Sequence, residues 1–247
     1  MKAESFGLTD VGRRRESNED DLLLEPRLGL YAVADGMGGH AAGEIASRLA
    51  IETLQEIAQR DGSVDPRGSA ERAGAWLQEA MSEANRRIWD SIRLHEERRG
   101  MGTTMVAMVH LGDQAVVGHV GDSRSYMLRG DDLVRLTSDH SWVNEQVKLG
   151  LMTDDAAQRH PMRNIVTRAL GSRPDVTVDV AASPIEAGDV ILLCSDGLNT
   201  MLSDEEIREI LTRKRDDPAA ACGDLVRAAN QRGGEDNVTV VVVQFAG

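Results

Sequence analysis

The chain has 247 residues, 41% of them hydrophobic and 28% charged, with a formal net charge of -13. That is enough chain to bury a sizeable core. The acidity argues against a nucleic-acid surface, which needs a basic stripe, and gives no support for binding anionic lipid.

Two cysteines, Cys194 and Cys222, are too few for a disulfide framework and fit a reducing compartment. The opening MKAESFGLTD lacks the apolar centre of a signal peptide. No apolar run approaches the roughly 18 residues of a membrane span. A soluble, cytoplasmic, monomeric protein without membrane contact is expected, although a catalytic domain cut from a longer chain would read the same way.

In chain order, the first strand-like run is Leu28–Ala34, which stops on Asp35 and passes into a glycine-rich turn. Two segments with helical spacing follow. The first, AGEIASRLAIETLQEIAQ, sets Ile45, Leu49, Leu54 and Ile57 on one face; the second, from Ser69 to Glu97, sets Trp76, Leu77, Met81, Ile88 and Ile92. RDGSVDPRG between them reads as a polar loop. Strand-like runs then occur at Thr103–His110 and Ala115–Val120, joined by a turn at GDQ, and RGDD at Arg129 to Asp132 reads as a second hairpin turn. After a helical insert, Val190–Cys194 and Val238–Phe245 complete the strands. This order is not a βαβ alternation, so an α+β fold with antiparallel sheets covered by helices is expected, in one domain.

Several of these runs end on acids: Glu19 and Asp20 in SNED, Asp35 in VADG, Asp122 in HVGDSR, Asp196 in LLCSDG and Asp236 in GGEDN. A single Asp-Gly is most often only a turn. Carboxylates that interrupt apolar runs, however, are costly to bury unless paired or metal-bound. Asp35, Asp196 and Asp236 stand at ends of core strands, from which they can converge. Oxygen-only donors of this kind suit Mg²⁺ or Mn²⁺.

RESNED, VADGMGGHAAGE, GTT, GDSR, CSDGL and EDNVTVVVV occur in an order and spacing that resemble the PPM-type, protein phosphatase 2C-like, metal-dependent serine/threonine phosphatases, in their compact bacterial form. The resemblance implies a central β-sandwich of two antiparallel sheets with helices on both faces. It implies Mn²⁺ or Mg²⁺ as cofactor, two core ions and a weaker third, with a metal-bridging hydroxide attacking phosphoserine or phosphothreonine. On that likeness Asp35 and the carbonyl of Gly36 serve the metal pair, Asp196 and Asp236 the first ion, and Glu19 and Asp20 the second. Asp122 and Asp196 would serve the third, where Thr200 stands at a position that some members fill with aspartate. Arg15 would hold the phosphate, its planar fork suiting bidentate contact. His40 would donate the leaving-group proton or order water on its loop. Asp139 to Gly171 is similar to the family's flap, expected here as a short helical hairpin with Trp142, Val147 and Leu151 packed inward. Thr104 is expected to support Asp35. The partners implied are phosphoproteins, namely serine/threonine kinases and their targets.

Rival chemistries fail on spacing. Cysteine-based phosphatases need an arginine six residues after the thiolate. Cys194 has none there, and Cys222 has Arg227 five residues on. The glycines after Asp35 lack the Gly-Lys-Ser/Thr of a nucleotide phosphate loop. A non-catalytic binding module on the same fold and a hydrolase of small phosphoesters are the remaining alternatives.

Overall fold

The computed structural model describes residues 1–38, 42–60 and 68–247. Strands β1 (Lys2–Asp10), β2 (Asp20–Glu25) and β3 (Leu30–Met37) lead into helices α1 (Ala42–Arg60) and α2 (Ala70–Leu94). A two-residue strand β4 (Gly102–Thr103) precedes the hairpin β5 (Met105–Leu111) and β6 (Gln114–Val120), then the hairpin β7 (Arg124–Arg129) and β8 (Asp132–Arg135). Helices α3 (Trp142–Lys148) and α4 (Asp154–Gln158) precede β9 (Asp179–Pro184) and β10 (Val190–Cys194). Helices α5 (Asp196–Asn199), α6 (Asp204–Arg213) and α7 (Pro218–Gln231) and strand β11 (Val238–Ala246) complete the chain. Among the described residues no helix is long and apolar enough to cross a membrane.

The strands form two antiparallel sheets, ordered β1-β11-β10-β7-β8 and β2-β3-β5-β6-β9, with β4 beside β3. Tyr31, Val33, Val106 and Met108 of one sheet pack against Ile191, Leu193, Val241 and Val243 of the other. Helices α1 and α2 cover the outer face of the β3 sheet through Leu54, Leu77, Met81 and Ile88. Helices α6 and α7 cover the other sheet through Ile207, Leu211 and Leu225. The result is the expected sandwich with helices on both outer faces. Strand β11 carries four consecutive valines, Val240–Val243, because both its faces are covered, so no alternation is imposed on it. Its odd-numbered valines face the opposite sheet and its even-numbered ones the helices.

The two sequence-predicted helices start and end within a few residues of their expected bounds, and both hairpin turns are present. Ser69 caps α2 by accepting from the Arg72 amide. Strands β1, β2 and β9 carried too little apolar alternation to be read from sequence. All three are outermost in their sheets, where one flank has no neighbouring strand. In the 139–171 segment two short helices do form, but Leu151 is 72% exposed rather than packed inward. It follows the end of α3 and is open to solvent among the described residues, and Val143 is the buried residue of that helix.

Candidate metal centre

Antiparallel pairing brings the acids to one end of the sandwich. Asp20 opens β2 directly opposite Asp35 near the end of β3. Asp122 follows β6, whose last residue pairs with the first of β5. Asp196 follows β10 and Asp236 precedes β11, which run antiparallel to each other. The end of β1 lies beside the start of β11, so the loop carrying Arg15 and Glu19 opens at the same end.

The scaffold beneath is polar and fully directed. Ser195 accepts from the Thr239 amide at 2.9 Å and donates its hydroxyl to Asp20 Oδ2 at 2.8 Å. Asn237 accepts from the Glu19 amide at 2.8 Å and donates to the carbonyls of Val11 and Ser17, pinning the loop that holds Glu19. The Asp35 carbonyl accepts from the Thr103 hydroxyl at 2.8 Å and the Thr104 amide at 2.9 Å. Thr104 therefore supports Asp35 through its backbone, while its hydroxyl lies 2.6 Å from that of Ser123. Thr200 donates to the Asp196 carbonyl at 2.8 Å. At Gly36 only glycine fits, because a Cβ would stand 2.1 Å from the Gly43 carbonyl oxygen.

Charge at this end is unbalanced. Burial, then repulsion from Asp20, Asp196, Asp122 and Asp236, holds the Asp35 carboxyl well above its ordinary range. Burial likewise raises Asp20 to about 7, Asp122 to about 8 and Asp196 to about 6, each with further repulsion from neighbouring acids. Glu19 is also raised, chiefly by burial. Arg15 donates to Asp236 Oδ2 at 2.7 Å, which brings the expected phosphate-binding fork against a carboxylate of the cluster. Asp20 Oδ1 is buried without a hydrogen-bond partner. An orphaned carboxylate oxygen among repelling acids is what a hard cation would satisfy, and the donors are all oxygen. Divalent cations of the Mn²⁺ or Mg²⁺ kind therefore fit the residues present.

The expected residues Arg15, Glu19, Asp20, Asp35, Gly36, Asp122, Asp196 and Asp236 all come to this end; His40 lies outside the described residues. Thr103, in the GTT motif, is a structural support, while Ser195 and Asn237 are supports that the sequence does not announce. Their residue types are common in turns, and only their long-range partners reveal the role. A cleft of about 910 Å³ runs from Asp122 and Asp196 between the 139–171 segment and the start of α6. Cys194 is fully buried in β10, with its thiol raised to about 12 by burial, so it behaves as a small apolar residue.

A family model described as protein phosphatase 2C matches residues 12–231. The chain is 40% identical over 242 residues to the protein phosphatase PhpP of Streptococcus pneumoniae, covering 96% of each. It is 39% identical over 239 residues to the serine/threonine phosphatase Stp of Listeria innocua, covering 96% of this chain and 93% of that one. The crystal structure of the Mycobacterium tuberculosis serine/threonine phosphatase PstP/Ppp matches with a TM-score of 0.91 at 37% identity, over 99% of both chains. A PstP catalytic domain in complex with two manganese ions matches with a TM-score of 0.87 at 35% identity, again over 99% of both.

Proposed function

This chain belongs to the protein phosphatase 2C family of metal-dependent serine/threonine phosphatases, and from that premise we propose which of its residues do the work. Asp35, Asp196, Asp236, Glu19 and Asp20, with the Gly36 carbonyl, hold a pair of Mn²⁺ or Mg²⁺ ions. Asp122 and Asp196 hold a weaker third. The observation that carries this reading is the mutually repelling acid cluster, with Asp20 and Asp122 buried, Asp35 and Asp196 half-buried and Asp20 Oδ1 unpartnered.

Bound cations would supply a water nucleophile at neutral pH and offset charge on the phosphoryl oxygens. Arg15 turns its fork from Asp236 to the phosphate, which it orients by bidentate contact. Ser195 and Asn237 keep Asp20 and Glu19 in place, so no reorganisation is needed as charge develops. His40, which follows β3 in sequence and lies outside the described residues, donates a proton to the leaving alkoxide or orders the water that does. The cleft of about 910 Å³ that leaves the acid cluster beside Asp122 and Asp196 offers a surface for polypeptide next to a phosphoresidue, which favours phosphoproteins over small phosphoesters. The whole chain acts as one catalytic domain on the targets of serine/threonine kinases, with 139–171 as the flap along that cleft.

Hydrolysis of a phosphothreonine peptide and of p-nitrophenyl phosphate, with Mn²⁺ and then with excess chelator, tests the reading. Activity should vanish with chelator and return with Mn²⁺. Turnover that survives chelation would overturn the metal assignment, and turnover of the small ester alone would overturn the phosphoprotein reading of the cleft.

A further inference from the structure

The two ends of the 139–171 segment meet at a second buried polar cluster, centred on His140. The His140 amide donates to the Gly121 carbonyl at 2.9 Å, and the Gly121 amide donates to His140 Nδ1 at 3.0 Å. The segment's far end returns to the same residue, since the Thr167 amide donates to the His140 carbonyl at 2.8 Å. Arg168 then donates to Asp179 Oδ1 at 2.6 Å and to the Thr177 carbonyl at 3.1 Å. His140 Nε2 lies 3.2 Å from Asp179 Oδ2. The ring stacks on His119 with centroids 4.6 Å apart, and His119 Nε2 is 3.0 Å from the Ser138 carbonyl.

His119, His140 and Asp179 offer ligand atoms within 4.8 Å of one another, a spacing open to a transition metal. The bonding points elsewhere. The rings are stacked at 12°, so their in-plane lone pairs run side by side rather than converging. His140 Nδ1 is engaged by Gly121, and the Arg168 cation already sits on Asp179. Because Nδ1 accepts, the ring proton belongs on Nε2, which lies 3.2 Å from Asp179 Oδ2 and 3.0 Å from Arg168 Nη1. The cluster is a hydrogen-bonded clamp.

What the clamp holds is the residue before Asp122. Gly121 has φ +105°, and a Cβ there would stand 2.5 Å from the Thr104 Cβ. Thr104 in turn bonds the Asp35 carbonyl through its amide. The Gly121–Asp122 turn is thus pressed between Thr104, which bonds the Asp35 carbonyl, and the imidazole of His140. Outer groups that fix a ligand's backbone tune the metal behind it.

We propose that His140 is a positioning residue for Asp122, setting that carboxylate through Gly121 and tying its placement to the ends of the 139–171 segment through Arg168 and Asp179. The inference rests on the reading of Asp122 as a cation ligand. Mn²⁺ titration of the 247-residue chain, by calorimetry and by electron paramagnetic resonance of free Mn²⁺, tests both. His140→Leu should weaken the weakest Mn²⁺ step about tenfold, within the range for residues behind a metal ligand, and leave tighter steps unchanged. His140→Asn, whose amide oxygen can accept from Gly121, should recover most of the loss. Arg168→Ala should weaken the same step less and serves if His140→Leu does not fold. An unchanged weakest step in folded His140→Leu or Arg168→Ala overturns the proposal, as does a uniform loss across all steps. Asp122→Ala should remove the weakest step. If it leaves the whole titration unchanged, the ligand reading of Asp122 falls and this inference falls with it.

Discussion

Asp20 and Asp122 are buried, and Asp35 and Asp196 half-buried, beside one another at the end of the sandwich, and loss of hydration and mutual repulsion raise all four. At the His140 cluster, also reached from β6, the groups are of opposite or complementary kind. Burial would raise Asp179, but hydrogen bonds from His140 and Arg168 outweigh it and keep the carboxyl below its usual range. Burial pushes His140 itself down to about 4, so it stays a neutral acceptor near neutral pH. Both clusters bury ionisable groups in one small fold. The first is incomplete without an added cation, and the second is complete within the chain. Buried polar groups left without partners mark the place where a ligand contributes, and fully partnered ones mark structure that directs it.

Neutralising one acid breaks the contrast most directly. Asp35→Asn should lower turnover of a phosphothreonine peptide by about a thousandfold or more, because cation stabilisation of the transition state is worth several kcal/mol. In chelator the same variant should melt a few degrees higher, since a repelling buried charge is gone. A lower melting temperature in chelator would show that the carboxylates are not in conflict.

The pH dependence comes next. Folded-state values of about 7, 8 and 6 for Asp20, Asp122 and Asp196 lie above the ordinary aspartate range near 4. Groups raised on folding contribute stability that is full below the unfolded value and lost as pH rises through the folded ones. In chelator the melting temperature should therefore fall between about pH 5 and 8, as these acids shed protons into a crowded site. Saturating Mn²⁺ should flatten that fall, and the Mn²⁺ concentration at half-saturation should drop as pH rises, because protons and cations compete. A chelator profile that stays level over this range would sink the account of the acid cluster.

The smallest effect is expected at the complete cluster. Asp179→Asn should lower the melting temperature in chelator by a few degrees at most, because the Asp179 side chain is 43% exposed and its ion pair is screened. The sign is the informative part. Asp35→Asn raising and Asp179→Asn lowering the same melting curve would sharpen the contrast, and equal signs would erase it.

Much of this could be read from residue types and local spacing. The run into Asp35, the Asp-Gly after β10 and the acid before β11 all appear as charges breaking apolar strands, and both long helices show their buried faces in sequence. Strands β1 and β9 could not be read so. LTD and VAAS carry too few large apolar residues, and the pairing of these strands depends on neighbours far along the chain. Leu151 shows the opposite failure, an apolar residue at helical spacing that stays exposed.

Which groups could meet a cation is written in the residues, because donor chemistry is a property of each side chain. That they meet is a consequence of the folded arrangement. Asp20 faces Asp35 by strand register, Ser195 reaches Asp20 across 175 residues of chain, and His140 braces the turn before Asp122. Register and long-range hydrogen bonds arise from how whole sheets pair and pack, so no local pattern of residues could announce them.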